Sequence, residues 1–214
     1  MYNVKVLPFS PIRENTYVLY NAVKEAIIVD PGCNGREEEQ ELRQFIENEG
    51  LIPKLLLNTH CHLDHVFGMK FVAGNWNLIP HIHRLEKAVL DYAPVAGLMW
   101  NLPFDQYSGE LNYLEDGDIT GLETDPLNVF FTPGHSPGSI SFYDSSGGFL
   151  VSGDVLFRGS VGRTDLPGGN LQTLSRSIIE KIYTLPEETI VYSGHGEPTT
   201  VGRERTTNPY VKGG

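Results

Sequence analysis

The sequence predicts an α/β fold. Short apolar, β-branched runs alternate along the whole chain with segments of helical apolar spacing, and neither repeats nor low-complexity tracts interrupt them. Several of the apolar runs also end in small residues and pass straight into a histidine or aspartate. Side chains at the carboxyl ends of strands can converge on one sheet edge, where α/β folds place their sites. At 214 residues and 40% hydrophobic content the chain can bury a substantial core. It is read as a single domain over residues 1–214.

Strands are expected at 4–9, 16–20 and 26–29 from their β-branched and apolar content. A helix follows at 36–49, with Leu42, Phe45 and Ile46 as its apolar stripe, Asn34 as its cap and Gly50 as its stop. Residues 55–57 read as a buried strand, 66–73 as a helix, 79–82 as a short strand and 84–92 as a helix. The segment 92–104 reads as an unusually apolar loop that lines a pocket, buries itself in a dimer interface or packs in the core. Strands at 129–131, 139–143 and 149–151 come next, then a helix at 171–185 with Leu174, Ile178, Ile179 and Ile182 inward. The last strand is 190–192.

Composition excludes some classes of function. A net charge of −11 disfavours an extended phosphate backbone, so no nucleic-acid partner is expected. No apolar stretch has membrane-spanning length, and the start lacks the charged-then-apolar pattern of a secretory signal. The chain is read as cytoplasmic, with no membrane partner. Its two cysteines, Cys33 and Cys61, do not form a disulfide framework.

The chemistry concentrates in Thr59-His60-Cys61-His62-Leu63-Asp64-His65, where three of the chain's seven histidines and an aspartate fall within six residues. In extended backbone His60 and His62 point the same way, and Cys61 points away from them. Asp64 and His65 then turn toward a neighbouring position, which suits two adjacent metals better than one. Three further runs supply more ligands. Residues 129–134 lead into His135, 149–153 into Asp154 and 190–194 into His195, each through a glycine that permits a sharp turn. Five histidines and two aspartates are enough for two metals.

Thr59-His60-X-His62-X-Asp64-His65, followed by His135, Asp154 and His195, resembles the metallo-β-lactamase superfamily. Segments 152–165 and 193–199 are similar to those of its glyoxalase-II-like hydrolases, in particular a short stand-alone type. The resemblance implies a four-layer αββα sandwich. It implies that His60, His62 and His135 bind one metal, that Asp64, His65 and His195 bind a second, and that Asp154 bridges them. Zinc is the expected metal, and iron and manganese accept the same donors. Water between two dications loses a proton near neutral pH and becomes a nucleophile. The metal-bound hydroxide would attack a small thioester such as S-lactoylglutathione, with Asp64 and Asp154 as the catalytic carboxylates. A thiolate leaves readily because its thiol has a pKa near 8.5.

Other polar residues receive narrower roles. Asp30 has a family counterpart that hydrogen-bonds to the metal loops. His81 and His83 mimic His60 and His62, but no carboxylate follows at the right spacing, so they are read as structural or exposed. Arg158 and Arg163 are expected to hold a substrate carboxylate, Arg163 matching a basic residue that holds glutathione in glyoxalase II. The competing reading of Arg163 is a salt bridge with Asp165. The carboxyl-terminal helical domain by which glyoxalase II adds basic contacts to glutathione is not expected here, and Thr164 and Asp165 stand where that family carries a tyrosine. Two alternatives stand beside the hydrolase: a mononuclear iron persulfide dioxygenase, which shares the stretch 162–165, and a non-catalytic metal-binding module. The oligomeric state is not legible in the sequence.

Overall fold

A computed structural model describes residues 1–212. Two six-stranded sheets form its centre. The first runs β1 (Asn3–Phe9), β2 (Glu14–Tyr20), β3 (Glu25–Val29), β4 (Ile52–Leu57), β5 (Pro80–Ile82) and β6 (Asn112–Tyr113) in that spatial order. The second contains β7 (Ile119–Leu122), β8 (Asp125–Phe131), β9 (Ile140–Asp144), β10 (Phe149–Gly153), β13 (Ile190–Ser193) and β14 (Thr199–Thr200), in the order 14-13-10-9-8-7. A hairpin of β11 (Leu156–Phe157) and β12 (Ser160–Val161) stands apart.

Side-chain alternation produces the four layers. Ile27 and Val29 of β3 face the second sheet and meet Val129, Phe142 and Val151, whereas Ile28 between them faces outward. Outside the first sheet lie α1 (Arg36–Asn48), through Leu42 and Ile46, and α3 (Met69–Trp76), through Met69 and Val72. Outside the second sheet, Leu150 and Val191 pack against Leu174 of α5 (Leu171–Ser177) and Val201 of α6 (Val201–Thr207). Central strands buried on both faces read as continuous apolar runs. Each fully buried aliphatic side chain there contributes roughly 1.5–3 kcal/mol. The expected αββα sandwich is present.

Three expected elements differ. The helix placed at 66–73 is two helices, α2 (Leu63–Val66) and α3, because the Gly68 amide donates to Pro31 O at 2.8 Å and a Cβ there would strike Cys33 Sγ. The apolar segment 92–104 is not a loop in its first half. A 3₁₀ turn (Arg84–Glu86) leads into α4 (Lys87–Met99), which runs through Pro94. Proline leaves the carbonyl four residues earlier without its donor. That carbonyl, Leu90 O, accepts instead from Gln106 Nε2 at 2.5 Å. The helix placed at 171–185 changes pitch: after α5 comes a π turn (Ile178–Ile182), which keeps Ile178 and Ile182 buried and leaves Ile179 exposed. Asn34 does not cap α1 either. Gly35 occupies that position, and Gly50 follows the helix with φ +64°.

β8 and β10 are both antiparallel to β9, and β13 is parallel to β10, so β8, β10 and β13 end on one edge. At that edge Ile140 N donates to Thr59 O at 2.9 Å and Asn15 N to Gly194 O at 2.7 Å, stitching the two sheets together. No helix among the described residues is long and apolar enough to cross a membrane.

Candidate metal centre

The loop after β4 places the first donors. His60 and His62 flank buried Cys61, and His62 is the residue before α2, in extended conformation. Asp64 and His65 occupy the first turn of α2, so a change from extended to helical backbone within four residues aims two pairs of donors in two directions. The glycines before the other donors act differently. Gly134 and Gly153 have positive φ, +133° and +55°. Gly194 does not, but a Cβ on it would collide with Asp154 Oδ1 and His65 Cε1.

All seven predicted donors converge. His60 Nε2 lies 3.2 Å and His62 Nδ1 2.8 Å from His135 Nε2. Asp64 Oδ2 lies 3.2 Å from His195 Nε2 and 3.9 Å from His65 Nε2. These are two separate groups, His60–His62–His135 and Asp64–His65–His195. Asp154 stands between them, with Oδ1 3.5 Å from His65 Nε2 and Oδ2 3.5 Å from His135 Nε2.

Hydrogen bonds fix the tautomers. Thr59 Oγ1 donates to Asp30 Oδ2 at 2.6 Å, so its contact with His60 Nδ1 at 3.1 Å is an acceptor contact. His60 therefore carries its proton on Nδ1 and offers a lone pair at Nε2. His135 Nδ1 donates to Arg163 O at 2.7 Å, and His65 Nδ1 to Asp30 Oδ2 at 3.0 Å. His195 Nδ1 faces Arg13 O at 3.3 Å. Four imidazoles are thus locked with Nε2 inward, the arrangement that orients metal-binding histidines. His62 is the exception and presents Nδ1.

Charge is divided between the groups. Burial, reinforced by the neighbouring histidines, holds His60 well below the ordinary imidazole value. Burial also pushes His62 down to about 3 and lowers His135. At His65 burial works downward too, but the carboxylates of Asp64, Asp154 and Asp30 outweigh it and lift the ring well above its usual value. For Asp154 and Asp64 burial is outweighed by nearby histidines, so both carboxyls lie below the usual range.

This donor set fits divalent metal. His65 Nε2 and Asp154 Oδ1 are buried without a hydrogen-bond partner. Such groups are costly unless something satisfies them, and a cation between His60 Nε2, His62 Nδ1 and His135 Nε2 would satisfy all three ring nitrogens at once. Asp30 could join His60 and His65 in a third group by distance. Its oxygens are instead occupied by Thr59 N, Thr59 Oγ1 and His65 Nδ1, so it orients ligands, as expected.

A model of the metallo-β-lactamase superfamily matches residues 10–195, which spans every one of these donors. The chain belongs to the metallo-β-lactamase superfamily. It is 40% identical to the probable metallo-hydrolase YqgX of Bacillus subtilis (strain 168), over 97% of this chain and 96% of that one. It is 32% identical to the hydroxyacylglutathione hydrolase GloC of Haemophilus influenzae, over 98% of each. Among solved structures it is similar to the BLEG-1 B3 metallo-β-lactamase, with a TM-score of 0.91, 39% identity and coverage of 99% of this chain and 100% of that one. It is also similar to TTHA1623 in a di-iron-bound form, with a TM-score of 0.87, 36% identity and coverage of 97% and 100%. A metallo-β-lactamase fold with these His and Asp groups implies divalent metals.

Around the superfamily's donor cluster, the remaining predicted residues separate. Arg163 is exposed and pairs bidentately with Asp165, Nε to Oδ1 at 2.7 Å and Nη2 to Oδ2 at 2.8 Å. Arg158 is exposed in the turn between β11 and β12, and the preceding Phe157 packs beside the His195 ring. His81 and His83 lie outside the cluster: His83 is buried, stacks on Phe131 and faces Glu115 at 3.2 Å. Cys33 and Cys61 are free and buried. Sequence reasoning missed Asn15, whose Nδ2 donates to Ser193 O and Gly196 O and straps the His195 loop. It also missed Glu14, fully buried 3.8 Å from His65 Nδ1. The signal was there: a polar Glu-Asn-Thr run opens an otherwise apolar strand.

Proposed function

We propose that the chain is a metal-dependent hydrolase of small thioesters, S-lactoylglutathione or a close analogue, using two divalent metals. The observation that carries this reading is Asp154, whose single carboxylate lies within 3.6 Å of histidines in both donor groups. His60, His62 and His135 would hold one metal, Asp64, His65 and His195 the other, and Asp154 would contact both. Zinc suits these nitrogen and carboxylate donors, as do iron and manganese. Bound divalent cations supply Lewis acidity and lower the pKa of water enough for attack near neutral pH.

The chain's own residues do the positioning. Asp64 is held ionised and can accept a hydrogen bond from the attacking water, which orients it. Arg163, exposed and always charged, can exchange Asp165 for a substrate carboxylate. The thioester as substrate draws support from the hydroxyacylglutathione hydrolase relative and from the likeness of segment 152–165.

Steady-state kinetics on S-lactoylglutathione and a neutral thioester test the reading, alongside oxygen uptake with glutathione persulfide and hydrolysis of a chromogenic β-lactam. Metal-dependent thioester cleavage is expected. Oxygen consumption without that cleavage would replace this reading with a persulfide dioxygenase, and β-lactam hydrolysis alone would make the chain a lactamase. Metal binding with no turnover would make it a metal-binding module.

A further inference from the structure

Glu86 belongs to neither donor group, yet it is fully buried and touches the loops of both strands that feed the first one. Its Oε2 accepts from Cys61 N at 2.7 Å, the amide between His60 and His62. Its Oε1 accepts from Ser136 Oγ at 2.5 Å and from Gly138 N at 2.7 Å, just after His135. The fit is close: a Cβ on Gly138 would stand 2.9 Å from Glu86 Cγ, N and Oε1. The two loops leave different sheets, and Glu86 sits on a third element, the 3₁₀ turn before α4.

From this geometry we infer that Glu86 is a positioning residue for the His60–His62–His135 group: it clamps the two loops at the spacing that group needs. The inference rests on the dinuclear reading proposed above. Only a carboxylate accepts at both oxygens. A glutamine must turn its NH₂ toward Cys61 N or toward Gly138 N, leaving one buried amide without an acceptor. The Asp64–His65–His195 group is held by other contacts, Asn58 Nδ2 to His65 O at 2.8 Å and Asn15 Nδ2 to Ser193 O at 3.0 Å. The effect of losing Glu86 should therefore be confined to one site.

The test is zinc(II) titration of the full chain against a chromophoric chelator, with cobalt(II) spectra reporting coordination and thermal unfolding of the metal-free chain run in parallel. Wild type should show two classes of site, and the class abolished by His62→Ala is the relevant one. Glu86→Gln should weaken that class roughly 10–100-fold, the usual effect of losing an outer-shell partner. It should change the cobalt(II) spectrum of that class and leave the other class nearly unmoved. Ser136→Ala removes one donor without touching the carboxylate and should shift the same class in the same direction. If Glu86→Gln fails to fold, Ser136→Ala decides alone. Equal weakening of both classes, tracking a lowered Tm of the metal-free chain, would reduce Glu86 to a structural residue and overturn the inference. No weakening of either class would do the same. A wild type that takes up only one equivalent would refute the dinuclear reading and this inference with it.

Discussion

Asp30 Oδ2 lies 3.0 Å from His65 Nδ1, and that contact decides which nitrogen His65 turns toward the donor cluster. Asp30 itself sits in left-handed backbone, φ 49°, a conformation aspartate and asparagine tolerate better than most residues. Asp30→Asn should therefore fold. It keeps one acceptor and replaces the other with a donor facing either Thr59 N or both Thr59 Oγ1 and His65 Nδ1. The affinity of the Asp64–His65–His195 group for zinc should fall roughly 10–100-fold. Metal content after dialysis, with circular dichroism to confirm folding, checks this; unchanged retention of both metals would remove Asp30 from the orienting role.

Asp154 is the carboxylate that reaches both donor groups. Asp154→Ala should weaken both metals, bringing content after dialysis from about two equivalents to below one, and should abolish thioester hydrolysis. The fold should survive, because the side chain packs against donors rather than core. Elemental analysis and kinetics decide the matter, and full activity in the variant would refute the bridging role.

Arg163 pairs with Asp165 on the surface, where an ion pair contributes little to stability. Arg163→Ala should leave Tm unchanged. It should raise KM for a carboxylate-bearing thioester several-fold and leave a neutral thioester unaffected, since uniform binding alone would be lost. Equal effects on the two substrates would take Arg163 out of the binding site.

Zinc affinity should depend on pH differently at the two groups. His62, pushed down to about 3, and the similarly lowered His60 and His135 carry no proton at neutral pH, so zinc displaces none there. His65 and His195 are raised, so the metal-free chain holds protons that zinc must expel. Affinity at Asp64–His65–His195 should therefore fall as pH falls from 8 to 6, roughly tenfold per pH unit for each proton displaced. The other group should hold its zinc nearly unchanged over that range. Competition titrations at several pH values test this, and identical slopes at both sites would contradict it.

Much of the architecture was legible because burial leaves a mark on sequence. The runs around Ile27–Val29, Leu55–Leu57, Val129–Phe131 and Phe149–Val151 are apolar throughout, as strands covered on both faces must be. Residues that broke the local rule were misread. The helix expected to end at 92 runs on through Pro94, because Gln106, twelve residues on, satisfies the carbonyl that proline leaves open. Ile179 fits an α-helical stripe, and only the wider π turn exposes it.

The seven candidate donors were legible in the sequence alone, since their residue types and spacing are a local property of the chain. Their supports were not. Glu14, Asn15, Asp30 and Glu86 act on residues 25 to 181 positions away. The tautomers of His60, His65 and His135 depend on the partner each Nδ1 meets, and the groups that decide them, Asp30 and Arg163 O, come from parts of the chain 28 to 35 residues away. A hydrogen bond requires two groups within about 3 Å. Spacing along the chain names the donor atoms, and tertiary structure alone decides which partner stands that close.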